Sequence, residues 1–126
     1  MRRLPFLSQR LPAYLWMAVI FAFSSIPQQY LPEVPIPAFS RIAHFIEYAI
    51  LGALLIRAFY NSKISLFGSL IMTSIAVASL YAATDEIHQY FVPGRVMDIV
   101  DWLFDFLGSV FGAILYKLFC DTSYPQ

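Results

Sequence analysis

The chain has 126 residues, of which 60% are hydrophobic and only 13% charged, and its eight basic side chains balance its eight acidic ones. A soluble domain carries about 25% charged residues, so this composition, with a mean hydropathy of +0.67, excludes an ordinary water-soluble globule and leaves no room for a separate soluble domain. The balanced charge names no acidic or basic partner, no nucleic-acid partner is expected, and the single cysteine, Cys120, excludes an intramolecular disulfide and reads as an inert apolar residue near a helix end.

The pattern predicts an all-α membrane protein, one domain over residues 1–126, built as a four-transmembrane-helix bundle. The first span is expected at about 11–26, with Pro12 tolerated in a first helical turn. The basic start at Arg2 and Arg3 resembles a signal peptide. Arg10 and Pro12 delay the apolar core, however, and no clean cleavage site follows, so the segment reads as a retained span. Residues 27–37 hold prolines at 27, 32, 35 and 37. Proline lacks the N–H a helix needs, so an extended segment at the membrane interface is expected, anchored by Tyr30, Leu31 and Ile36.

The second span is expected at about 39–59 and the third at about 64–90, where residues 64–84 carry no charge, enough to cross a hydrocarbon core of about 30 Å. The tight polar turn Asn61-Ser62-Lys63 joins them. A turn on Pro93-Gly94 leads into the fourth span, at about 96–119. Within it Gly108 and Gly112 form a G-x-x-x-G pair, the usual mark of close helix packing.

With four spans both termini face one side. That side receives Arg2, Arg3, Arg10, Arg57, Lys63 and Lys117, and the other receives only Arg41 and Arg95. The positive-inside rule then places both termini in the cytoplasm, with the proline-rich segment and the Pro93-Gly94 turn outside.

Against this apolar background the acidic residues stand out. A carboxylate at membrane depth costs about 2.5 kcal/mol or more near a helix centre unless it is paired, hydrated or neutralised. Asp98, Asp101 and Asp105 follow i, i+3, i+7 and share one face of the fourth helix. Tyr81, Asp85 and His88 share a face of the third, as do Asp85 and Gln89, and Glu86 lies beside them. On the second, His44 stands three residues before Glu47. All fall in the outer half of the expected spans, level with Ser24 and Ser25. The expectation is one outward-facing polar cavity fed by all four helices. Its binding residues would be Arg41, His44, Tyr81, His88, Gln89, Arg95, Asp98, Asp101 and Asp105. Glu47, Asp85 and Glu86 are the acid/base candidates. The cofactor is unknown; a divalent cation would find oxygen ligands in Asp98, Asp101 and Asp105. The blander alternative pairs Arg95 with Asp98 or Asp85 and Arg41 with Glu47 or Glu86, with Asp98 capping its helix, so that the network only fixes register. A proton or cation pathway is disfavoured, because the cytoplasmic half of every span is apolar.

The run from Asp85-Glu86 through Gln89, Phe91 and Pro93-Gly94-Arg95 to Asp98 and Asp101 resembles the VanZ-like family. So do Phe23-Ser24-Ser25, His44-Phe45, Tyr48, Leu51-Gly52, Tyr81, and Gly108 with Gly112. Arg41 stands where that family commonly has Lys, and Asp105 where it commonly has Asn. The resemblance implies a small multi-pass protein of the bacterial cytoplasmic membrane, with the lipid bilayer and an envelope lipid or glycolipid as partners and an unknown oligomeric state. The family's namesake is associated with resistance to the lipidated glycopeptide teicoplanin. The resemblance carries no settled catalytic mechanism, so whether the chain is an enzyme stays open. A non-enzymatic module that binds an envelope partner is the alternative.

Overall fold

A computed structural model of the protein describes residues 6–33, 37–60 and 69–120. They form four α-helices, α1 (Phe6–Ser24), α2 (Pro37–Phe59), α3 (Leu70–Tyr90) and α4 (Ile99–Cys120), with a short 3-10 turn at Gln28–Tyr30 between α1 and α2. Helices α2, α3 and α4 are each long and apolar enough to cross a membrane. Arg2, Arg3, Pro35, Ile36, the expected turn at 61–63 and residues 64–68 of the expected third span lie outside the described residues.

The helix boundaries depart from the sequence reading in ways that local chemistry explains. Helix α1 starts at Phe6 rather than near 11, so Pro12 lies inside it instead of in its first turn. Leu7, Gln9 and Arg10 are good helix formers and extend the helix backwards. Helix α3 starts at Leu70, not near 64. Ser69 is extended (φ −135°, ψ 132°) and its side chain accepts the Met72 N–H, which makes it the N-cap. Helix α4 starts at Ile99, not 96. There Asp98 is the cap, its Oδ1 accepting the Val100 N–H at 2.8 Å. The segment after Pro27 is not wholly extended: residues 28–30 wind into the 3-10 turn, closed by Tyr30 N–H to Pro27 O and Leu31 N–H to Gln28 O.

Consecutive helices run in opposite directions, so the ends of α1 and α3 gather with the starts of α2 and α4. At the far end Arg10 lies over the Phe59 ring. The α2–α4 contact is the tightest in the bundle because glycine lets backbone meet backbone. A Cβ added at Gly108 would strike the Phe45 carbonyl, one at Gly112 the Ala49 carbonyl, and one at Gly52 the Ser109 carbonyl. The interior between helices is filled by Ala13, Ile20, Tyr48, Leu51, Leu55, Ala78 and Ala82. The outside is apolar too: Leu15, Phe21, Ile46, Leu80, Leu107 and Phe111 are all exposed, as a bilayer rather than water requires.

The loops at the gathered end are tied to each other. Val92-Pro93-Gly94-Arg95 closes with Arg95 N–H to Val92 O, with Pro at the second position and Gly94 at the third with φ 76°, the pattern of a type II turn. The Pro93 carbonyl accepts the Gln28 N–H at 3.1 Å. A Cβ on Gly94 would lie 2.9 Å from Gln28 Cβ, so glycine is needed there for space as well as for dihedral.

Candidate functional site

Four residues before His44, Ser40 opens the polar face of α2. Three residues beyond His44, Glu47 continues it. His44 is buried, with its ring held between two aspartates of α4. Nδ1 lies 2.9 Å from Asp105 Oδ1 and Nε2 lies 3.8 Å from Asp101 Oδ2. Asp105 is fully buried. A carboxylate only accepts, so Nδ1 carries the hydrogen that Asp105 receives and Nε2 faces Asp101. Arg41, one turn earlier on α2, places Nε 4.0 Å from Asp101 Oδ1. Arg41 therefore pairs with Asp101 and not with Glu47 or Glu86.

Helix α3 divides its polar residues between two tasks. Tyr81, Asp85, His88 and Gln89 face α1. The Tyr81 hydroxyl donates to Met17 O at 2.6 Å. Ser24 donates its hydroxyl to Asp85 Oδ1, and Gln89 Nε2 donates to Asp85 Oδ2 and Ser24 Oγ, both at 3.3 Å. Ser25 gives its hydroxyl hydrogen to Phe21 O, so His88 Nε2, 2.9 Å from Ser25 Oγ, is the donor in that pair. The Phe21 ring stacks on His88 at 4.5 Å. Asp85 thus has both oxygens partnered inside the bundle.

Glu86 faces the other way, toward α4. Its Oε2 accepts the Asp98 N–H at 3.0 Å. Its Oε1 is buried and has no hydrogen-bond partner among the described residues, as is also true of Asp105 Oδ2 and the Tyr48 hydroxyl. His44, Glu86 and Asp101 each bring a ligand atom within 4.8 Å of the others. Of the three aspartates on the expected α4 face, only Asp101 belongs to this group. Asp98 is occupied in capping, and Asp105 in holding the His44 ring.

Above these residues a cleft of about 320 Å³ opens between the loops. It is lined by Gln28, Ser40, His44, Gln89, Gly94, Arg95, Val96, Asp98 and Asp101. A smaller one of about 160 Å³ adjoins it and shares Ser40, His44, Gln89 and Arg95 while adding Ser24 and Glu47. Arg95 therefore borders both. It forms no ion pair among the described residues, neither with Asp98 nor with Asp85.

The structure thus gathers the candidates of α2, α3, α4 and the connection before α4 at one end of the bundle. Arg41, His44, Glu86, Asp101 and Asp105 lie between α2, α3 and α4. Tyr81, Asp85, His88 and Gln89 lie against α1. Glu47 and Arg95 border the clefts. Two polar lining residues escaped the sequence reading. Ser40 carried a signal, since it lies on the His44 face at i−4. Gln28 carried none, because only the folded turn brings it beside Gly94.

Residues 9–120 match the family model described as VanZ/LLP1. No curated protein and no solved structure matches the chain.

Proposed function

The chain belongs to the VanZ/LLP1 family, and for this member we propose that the polar cleft receives the anionic head group of an envelope lipid or glycolipid at the outer leaflet of the bacterial cytoplasmic membrane. The observation that carries the reading is Arg95. It is a permanent cation without an ion pair among the described residues, and it borders a cleft of about 320 Å³ at the bundle end. A planar guanidinium suits phosphate or carboxylate. Around it, Gln28, Ser40 and Gln89 offer donors and acceptors to a sugar or glycerol.

In this reading all four helices cross the membrane. Helix α1 has 19 residues, about 28 Å at 1.5 Å per residue, and exposes Leu11, Tyr14, Leu15, Val19, Phe21 and Phe23 along its length. The cleft end carries Arg41 and Arg95, while Arg10, Arg57 and Lys117 lie toward the other, a bias that supports reading both termini as cytoplasmic and the cleft as outside. Should the bound head group also be modified, Glu47, which lines the smaller cleft, is the acid/base candidate nearest it. Asp85 is less suited, because Ser24 and Gln89 occupy both of its oxygens. A part in tolerance of glycopeptide antibiotics, such as teicoplanin, belongs to the same reading.

Native mass spectrometry of the full chain, extracted with its lipids, tests it. The wild type should retain an anionic lipid above its share of the membrane, and Arg95→Gln should lose that enrichment. Equal enrichment in both, or none in the wild type, would overturn the proposal. The second reading, a module whose charges only assemble the bundle, draws on the fully partnered Asp85. It predicts that Asp85→Asn lowers protein level but not lipid retained per molecule.

A further inference from the structure

Between α2, α3 and α4 lies a group of side chains that meets the cleft wall through His44 and Asp101 and is separate from the Arg95 contact proposed for the head group. We infer that His44, Glu86 and Asp101 form a binding site for one divalent first-row metal cation, with Asp105 as the residue that fixes the imidazole.

Three independent features meet there. The first is the donor set, with His44, a Glu86 oxygen and an Asp101 oxygen all within 4.8 Å of one another. Around an ion at ~2.1 Å such atoms stand ~3.0–3.4 Å apart, so a contraction of about 1–2 Å completes the site. The second is Glu86, only 3% exposed, whose Oε1 has no hydrogen-bond partner among the described residues. A buried carboxylate oxygen left bare costs the desolvation of a charged acceptor, and a cation removes that cost. Its other oxygen is held by the Asp98 N–H at 3.0 Å, which orients the group. The third is the Asp105–His44 pair. With Nδ1 held 2.9 Å from a fully buried carboxylate, Nε2 is the ring nitrogen turned to Asp101 and the one a metal would take. A carboxylate behind the far nitrogen of a ligating imidazole is the arrangement that fixes tautomer and ring direction in histidine metal sites.

Charge agrees with geometry. As metal ligands the imidazole would be neutral and the carboxylates of Glu86 and Asp101 ionised, with Asp105 behind the ring and Arg41 at 4.0 Å from Asp101 Oδ1. A divalent cation closes the set. Arg41 engages Oδ1, whereas Oδ2 is the atom nearer His44, so the ion pair and the metal do not compete for one oxygen. One nitrogen and two oxygens favour Zn²⁺ or Mn²⁺ over Mg²⁺, which takes oxygen ligands and keeps its waters. With three protein ligands a fourth position stays open toward the cleft.

The site does not depend on lipid, so it is tested in detergent with lipid removed, on the full chain with any purification tag cleaved. Isothermal titration with Zn²⁺ alone should give one ion per chain, and X-ray absorption at the zinc edge should show nitrogen and oxygen neighbours including an imidazole. Glu86→Gln and Asp101→Asn should each weaken binding at least tenfold. Asp105→Asn should weaken it 10- to 100-fold through the ring it orients. Cys120→Ser, at the opposite end of α4, should change nothing. Should Glu86→Gln fail to fold, Asp101→Asn, whose side chain is partly exposed, decides the matter alone. Absence of stoichiometric uptake, tighter binding of Mg²⁺ than of Zn²⁺, sulfur in the absorption spectrum, or wild-type affinity in Asp101→Asn would each overturn the assignment. None of these results touches lipid retention, so the two proposals fail separately.

Discussion

Glu86 reaches from α3 to the backbone of the next helix, where its Oε2 accepts the Asp98 N–H at 3.0 Å. Asp98 in turn caps α4 through Val100. One carboxylate thus holds the residue that starts the following helix. Removing it in Glu86→Ala deletes a hydrogen bond to a charged group, worth roughly 1.5–3 kcal/mol. The loss should appear as faster amide exchange at residues 98–102 and a lower midpoint in reversible detergent unfolding, with exchange in the middle of α1 unchanged.

Helix packing offers a separate test. A methyl at Gly112 has no space, since the Ala49 carbonyl occupies it, and the obstacle is backbone that cannot rotate aside. Gly112→Ala should push α2 and α4 apart and destabilise the bundle by about 1–3 kcal/mol, the usual cost of overpacking. Leu115→Ala, on an exposed position of the same helix, should cost far less. Equal losses in the two variants, measured by the same unfolding titration, would count against the close α2–α4 crossing.

Gly94→Ala combines two penalties. The backbone at φ 76° costs an L-residue about 1–2 kcal/mol, and the new Cβ would press on Gln28 Cβ at 2.9 Å. The expected result is loss of the Gln28 N–H to Pro93 O bond, read as loss of exchange protection at Gln28, together with weaker binding of any ligand in the cleft.

The Ser24–Asp85 bond joins α1 to α3. A double-mutant cycle of Ser24→Ala and Asp85→Asn should return a coupling of about 0.6 kcal/mol and no more than about 1.7, the range for hydrogen bonds between membrane helices. A coupling near zero would show that Asp85 is held by Gln89 alone.

Much of this arrangement was readable from residue order. Apolar runs separated by Pro93-Gly94 and the proline-rich segment mark the helices, and Gly108 with Gly112 marks a close contact. The depth of the polar residues follows from counting along each helix. The helix starts were less readable, because hydropathy reports what lipid tolerates and not where hydrogen bonding begins. Thus the uncharged run from residue 64 suggested a helix start there, whereas the described helix starts at Leu70 with Ser69 as its cap. Pairings were not readable at all. His44 and Asp105 are 61 residues apart, and although both were expected at similar depth, only the rotation of α2 against α4 decides that they touch. That rotation is set by Gly52, Gly108 and Gly112. The same rotation explains why Arg41 meets Asp101, whereas Asp98 stays out of the His44 group because it caps α4.

The bond between Gln28 and Pro93 couples the two connections that roof the polar end. Because a backbone donor in one is spent on a backbone acceptor in the other, swinging either connection outward alone breaks that bond. Widening the aperture therefore either gives up that contact or carries both connections together past the α2–α4 pair, so a molecule too broad for the present opening meets a cost at the roof before it meets the polar residues below.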